Sequence, residues 1–293
     1  GIQAHAQHGV AGIQQRHVDR AQDPALTATV VKRLRGVDHR TAVAVVERGV
    51  DRIRGNLDKG VALGKVDDDQ AHAALNRIRV AHDLADAVRE AGLVIEAVPE
   101  SLELKHELFK ATDEAAPADA VLASNTSSLS IDRIADAVSD PGRVLGLHFF
   151  NPVHVMKLVE LVWGARTSEI TRERGMGFIQ QLGKEPVVVK DAPGFASSRL
   201  GIVLGMEAIR MVEQGVASAE DIDKAMTLGY RHPMGPLRLT DLVGLDVRLG
   251  IAEYLYETLG SDAFRPPELL RQMVAEGRLG KKSGRGFYDW SES

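Results

Sequence analysis

Three stretches near the middle of the chain carry side chains that can move a proton. The string Ser124-Asn125-Thr126-Ser127-Ser128-Leu129 groups hydroxyls and an amide directly after an apolar run. The string Gly146-Leu147-His148-Phe149-Phe150-Asn151-Pro152 puts an imidazole at the end of a second apolar run. The third is Met156-Lys157-Leu158-Val159-Glu160-Leu161-Val162. Side chains of a strand alternate between faces, so Glu160 would share its face with Met156, Leu158 and Val162. A carboxylate on an apolar face is costly unless it is paired and hydrogen-bonded. An imidazole would satisfy it, and the carboxylate would in turn fix the ring's tautomer. A His–Glu dyad beside a hydroxyl is equipment for general acid–base chemistry at neutral pH. The first two strings also have ordinary readings: a Ser/Thr turn capping the next helix, and a structural histidine closing a strand.

For these groups to meet, the elements carrying them must end side by side. Short apolar runs at 78–81, 93–97, 120–124, 144–148 and 156–162 read as strands, with helical spacing over 101–114 and 130–138 between them. A helix over 168–182 and a closing strand over 186–190 follow. Strands alternating with helices predict βαβ units and a parallel sheet covered on both faces, which places ligands at strand carboxyl ends. Asp191-Ala192-Pro193-Gly194 then punctuates the chain. Pro193 and Gly194 are expected to open a long helix whose buried stripe is Phe195, Leu200, Val203, Met206, Ile209 and Val212. Ser218 and Asp221 predict the start of another helix, and Pro236 sits in the first turn of a third. The expected organisation is an α/β domain over 1–190 and an all-α domain over 191–293. In the first fifty residues only 28–31 and 42–46 read as strands.

Composition narrows the function. The 293 residues are 44% hydrophobic and 26% charged, with a formal net charge of −5, so no global basic field points to nucleic acid or an anionic membrane. There is no cysteine, which excludes disulfides, thiol catalysis and thiolate zinc sites. No run approaches the roughly 18 apolar residues of a membrane span. The first thirty residues hold no apolar segment of a secretory signal. A soluble, cytoplasmic protein is expected. His5 and His8 lack further ligands nearby in sequence, so no metal site is expected.

The strings SNTSSL, GLHFFNPVHVMKLVE, DAPGF, HPMGP and GKKSGRGFYDW occur in this order. Together they resemble the L-3-hydroxyacyl-CoA dehydrogenase family, near its bacterial 3-hydroxybutyryl-CoA members, over about residues 50–290. The resemblance implies a Rossmann-like domain followed by a helical dimerisation domain, and NAD-dependent oxidation of the 3-hydroxyl of an acyl-CoA. His148 matches the family's base, Glu160 its orienting carboxylate, and Ser127 the serine that hydrogen-bonds the reacting oxygen. Asn151 matches an asparagine near the nicotinamide, and Glu100, Lys105 and Lys282 match positions that contact NAD. Ser198 stands where the family usually has asparagine and is given a supporting role. Asn56 and Lys59, with Lys65, are candidate contacts for the CoA phosphates, with solvated helix positions as the alternative. A homodimer through the helical domain is likewise implied, with no nucleic-acid or membrane partner.

One departure matters. The family opens with a strand, a GxGxxG turn and a helix, where the glycines let the backbone approach a pyrophosphate. Residues 1–46 contain no such turn, so the first βαβ unit is degenerate in sequence. Gly9-Val10-Ala11-Gly12 lacks the spacing, and nothing around Asp38 supports a ribose-binding role. Family-like sequence resumes abruptly near Glu47, as a shift in reading frame or a diverged segment would each produce. The alternative function is therefore a relative that keeps the fold and CoA groove without productive cofactor binding. A further alternative is a 3-hydroxyacid dehydrogenase acting without CoA, against which the HFFNPV string weighs.

Overall fold

The computed structural model describes residues 28–30, 39–81 and 83–291. His5, His8, the Gly9–Gly12 stretch and Asp38 lie outside the described residues. The described residues form two compact units: those up to Ala91 with Ala115–Pro117, and Gly92–Glu114 with the chain from Ala118 onward.

In the first unit, β1 (Ala28–Val30) pairs in parallel with β2 (Ile78–Val80). Between them run α1 (His39–Ala62) and α2 (Asp68–Asn76), and α3 (Leu84–Val88) follows. The strand expected at 42–46 lies inside α1. No Gly or Pro interrupts 42–48, and the apolar positions continue at Val50, Ile53, Leu57 and Val61 with helical spacing. A short Val-rich run is ambiguous; its continuation decides.

The second unit is built on a five-stranded sheet in the order β3 (Leu93–Glu96), β4 (Val121–Ser124), β5 (Val144–Phe149), β6 (Leu158–Trp163), β7 (Glu185–Lys190). Crossovers through α4 (Leu102–Ala115), α5 (Ile131–Ile134) and α6 (Glu169–Gln181) connect parallel neighbours. The sheet is not wholly parallel as expected: β5 and β6 run antiparallel. Only residues 150–157 join them, with no helix to carry the chain back to the starting edge, and a parallel connection needs such a crossover. The helix expected at 130–138 is a single α turn capped by the Ser130 hydroxyl and continued by a 3-10 turn. Val121, Ala123, Leu145, Leu147, Val159, Leu161 and Ile179 form the core against α6.

After β7 the regular elements of the described residues are helices, joined by turns and loops, with isolated bridges at Gly280, Arg285 and Asp289. The helices are α7 (Ser197–Glu213), α8 (Ala219–Lys224), α9 (Pro236–Val243), α10 (Leu245–Leu259) and α11 (Glu268–Ala275). Ser218 caps α8 by accepting from Asp221 N, and Pro236 opens α9. Pro193 and Gly194 do not open α7 as expected; they form the turn before it, and Phe195 adopts φ +50°. Leu200 is exposed, a correction to the expected stripe, because the buried face of α7 is set by Ile202, Met206 and Ile209. Residue 191 marks the change from sheet to helices. It is not a boundary between the compact units, because the sheet and these helices pack as one.

Candidate active site

His148 and Glu160 are register partners across the antiparallel β5–β6 pair. Directly opposed residues have side chains on the same face, which brings the two together. The His148 Nδ1 lies 2.7 Å from Glu160 Oε2. Both residues are buried, Glu160 completely. Glu160 Oε2 also accepts from Ser197 Oγ at 2.6 Å, and Oε1 accepts from Ser197 N at 2.8 Å and Ala196 N at 3.2 Å. Ala196 provides no side-chain cap for α7, so Glu160 reaches over from the sheet and caps that helix. Burial pushes the Glu160 pKa up and is the largest single influence. The bonds from His148 and from Ser197 Oγ and N together outweigh it, and the carboxyl lies below its ordinary value. An ionised carboxylate only accepts, so Nδ1 carries the proton. In the neutral ring Nε2 then keeps its lone pair. Phe150 and Phe195 flank the imidazole at 4.6 and 6.0 Å between ring centroids.

The Ser127 loop follows β4, the strand beside β5. Glu100 Oε1 accepts from Thr126 Oγ1 at 2.6 Å, Ser127 N at 3.0 Å, Ser128 N at 3.1 Å and Ser128 Oγ at 3.1 Å. The Ser127 hydroxyl is left without a partner among the described residues. Asn125 Oδ1 accepts from Phe149 N at 2.8 Å, tying this loop to the strand end that bears His148. Lys105 is fully buried, and its ammonium donates to Glu96 Oε1 and Oε2 at 2.8 and 2.9 Å and to Val98 O at 3.4 Å. Those bonds use its protons inside the protein, in a position the resemblance matches to a cofactor contact.

The family model for 3-hydroxyacyl-CoA dehydrogenase, NAD binding domain, matches residues 27–192, and the one for the C-terminal domain matches residues 194–290. The chain belongs to the 3-hydroxyacyl-CoA dehydrogenase family. It is 46% identical over 246 residues to a probable 3-hydroxybutyryl-CoA dehydrogenase of Bacillus subtilis, covering 84% of this chain and 85% of that protein. It is 47% identical over 251 residues to a 3-hydroxybutyryl-CoA dehydrogenase of Mycobacterium tuberculosis, covering 85% of this chain and 87% of that protein. The crystal structure of (S)-3-hydroxybutyryl-CoA dehydrogenase PaaH1 from Ralstonia eutropha superposes with a TM-score of 0.84 at 38% identity, covering 91% of both chains. The Rossmann-type domain followed by a helical domain is this family's architecture.

The other residues expected in a dehydrogenase site are distributed unevenly. Asn151 is exposed just beyond β5. Lys282 donates to Asp246 Oδ2 at 2.6 Å. Ser198 is half-buried in the first turn of α7 with no side-chain bond to a described residue, while its neighbour Ser197 holds Glu160. Asn56 and Lys59 are exposed on α1, in the other compact unit. Sequence reasoning missed Ser197. The available signal was the want of a Ser, Thr, Asp or Asn at the position before α7, which left its amides for an outside acceptor. The unpartnered Ser127 hydroxyl and the exposed Asn151 amide stand just past the carboxyl ends of β4 and β5, and hydrogen-bonding groups of this kind fit NAD. Among the described residues no group of three or more His, Asp or Glu is placed to hold a metal. No described helix is long and apolar enough to cross a membrane.

Proposed function

We propose that this chain interconverts L-3-hydroxybutyryl-CoA and acetoacetyl-CoA with NAD, using His148 as the acid–base group. The Nδ1–Oε2 bond of 2.7 Å carries this reading, because it leaves Nε2 as the basic atom. In the oxidising direction Nε2 accepts the proton of the substrate's 3-hydroxyl. The resulting alkoxide drives out the hydrogen on C3 as hydride. Bound NAD supplies the acceptor for that hydride. Glu160 stabilises the imidazolium, and Ser127 Oγ donates to the reacting oxygen. In reverse, His148 returns the proton to that oxygen as the ketone is reduced. Glu100, Lys105, Ser127, Asn151 and Lys282 would hold the cofactor and Asn56 and Lys59 the CoA phosphates. Ser198 keeps a supporting role. A homodimer through the helical domain and a cytoplasmic location complete the reading.

NADH absorbance tests it directly. The expected result is oxidation with acetoacetyl-CoA and none with free acetoacetate. His148→Ala should lower kcat by roughly 10²–10⁴. Wild-type turnover in that variant would remove His148 from the chemistry. The missing GxGxxG favours the second reading, a cofactor-impaired relative. That reading requires no turnover with either substrate, while acetoacetyl-CoA still raises the melting temperature.

A further inference from the structure

Glu96, the last residue of β3, is a carboxylate that the proposed chemistry does not use. Its residue is 5% exposed, and a buried carboxylate persists only with partners. Those partners all belong to the segments that frame the site. Oε1 accepts from Val98 N at 2.5 Å and from Lys105 at 2.8 Å; Oε2 accepts from Ser124 Oγ at 2.6 Å and from Lys105 at 2.9 Å. Its backbone carbonyl accepts from Asn125 N at 2.7 Å. Lys105 therefore stands between two carboxylates, bonded to Glu96 and 3.6 Å from Glu100 Oε2. Glu100 Oε1 is the acceptor that gathers the Ser127 loop.

We propose that Glu96 is a positioning residue that holds Lys105 off Glu100, leaving Glu100 free to organise residues 126–128 and present the Ser127 hydroxyl. A buried ammonium needs a carboxylate. Remove the charge on Glu96, and Glu100 becomes the one carboxylate already beside Lys105. Closing that 3.6 Å gap moves Glu100 away from the Ser127 and Ser128 amides, and the loop loosens. Lys105 and Glu100 match cofactor contacts by resemblance, and the role of Glu96 in placing Glu100 against the loop stands beside that match. The consequence for turnover rests on the dehydrogenase reading; the consequence for the loop does not.

Glu96→Gln keeps the shape and removes the charge. Amide hydrogen exchange at Ser127 and Ser128 should accelerate at least tenfold, with β5 and β6 unchanged. kcat should fall at least tenfold, with little further fall when Ser127→Ala is added. Adding Lys105→Met to Glu96→Gln removes the displaced cation and should return the loop exchange, and most of kcat, toward wild type. A purely structural Glu96 would not be rescued by that second substitution. Wild-type exchange at Ser127 and Ser128 in Glu96→Gln overturns the proposal. If Glu96→Gln does not fold, the double variant decides: a wild-type loop supports the role of Lys105, and a loosened loop refutes it. A wild type without turnover would sink the dehydrogenase reading and leave the exchange result standing.

Discussion

A buried carboxylate that also caps a helix links proton chemistry to folding at a single residue. The folded Glu160 carboxyl lies below its ordinary value, against the pull of burial, because His148 and Ser197 bond the ionised form. A depressed folded pKa gives stability that is complete above the unfolded value of about 4.3 and is lost as pH falls toward the folded one. Urea midpoints of the wild type should therefore drop more steeply between about pH 4.5 and 3 than those of Glu160→Gln. Asp113 and Asp246 are also depressed, but both proteins contain them, so the difference isolates Glu160. Parallel pH curves would mean that Glu160 contributes no such linkage. Ser197→Ala deletes one bond to this charged group, of a kind worth about 1.5–3 kcal/mol, while the backbone donation at 2.8 Å remains. We expect kcat to fall about tenfold or more, as judged by NADH oxidation at saturating acetoacetyl-CoA. The pairing of His148 with Glu160 was legible in the sequence because an acid on an apolar strand face demands a partner. Ser197 was not, because its role depends on where α7 begins. The inward turn of Lys105 was not either, because nothing local to Lys105 announces Glu96 as its partner.

The dyad exists because β5 and β6 run antiparallel, a feature that strand-and-helix counting missed. Strand identity follows from short apolar runs, and all five strands of this sheet fall within a residue or two of their sequence positions. Strand direction depends on what joins two strands, and 150–157 reads as neither helix nor tight turn. Gly146 marks how closely this pair is packed. A Cβ there would meet Ile131 Cδ1 and Val162 Cβ at 2.9 Å each. The first is a side-chain tip that can shift, but the second is anchored on β6. Gly146→Ala should thus destabilise by about 1–3 kcal/mol, the usual cost of overpacking. It should also reduce kcat, because His148 lies two residues along the same strand. Chemical denaturation and the NADH assay measure the two effects separately. An alanine variant with wild-type midpoint and turnover would contradict the packing described for β5 and β6.

At the scale of the whole molecule, the closing string GKKSGRGFYDW is a strap held by two buried acids, Asp223, which accepts from Tyr288 Oη at 2.7 Å, and Asp241. Asp241 of α9 accepts from Phe287 N and Tyr288 N at 2.9 Å and from Trp290 Nε1 at 2.8 Å. A Cβ on Gly286 would fall 2.1 Å from Asp241 Oδ1, so that glycine is set by the clasp. The sequence showed the motif but not its distant anchor, since Asp241 resembles any other helical acid until the chain returns. With the strap in place, α9 and α10 still leave Leu239, Val243 and Val247 about 40% exposed, and Leu242 likewise. Leu239 and Val243 are four residues apart on one helix and share a face. Apolar exposure at that spacing supports the proposed homodimer through the helical domain. Light scattering after size exclusion should give twice the chain mass of 31.7 kDa. Leu239→Lys with Val243→Lys should shift the protein to the single-chain mass while its circular dichroism stays that of the wild type. A wild type of single-chain mass at micromolar concentration refutes the dimer. A double variant that stays dimeric removes α9 from the interface, and the helical domain would then need another face to serve it.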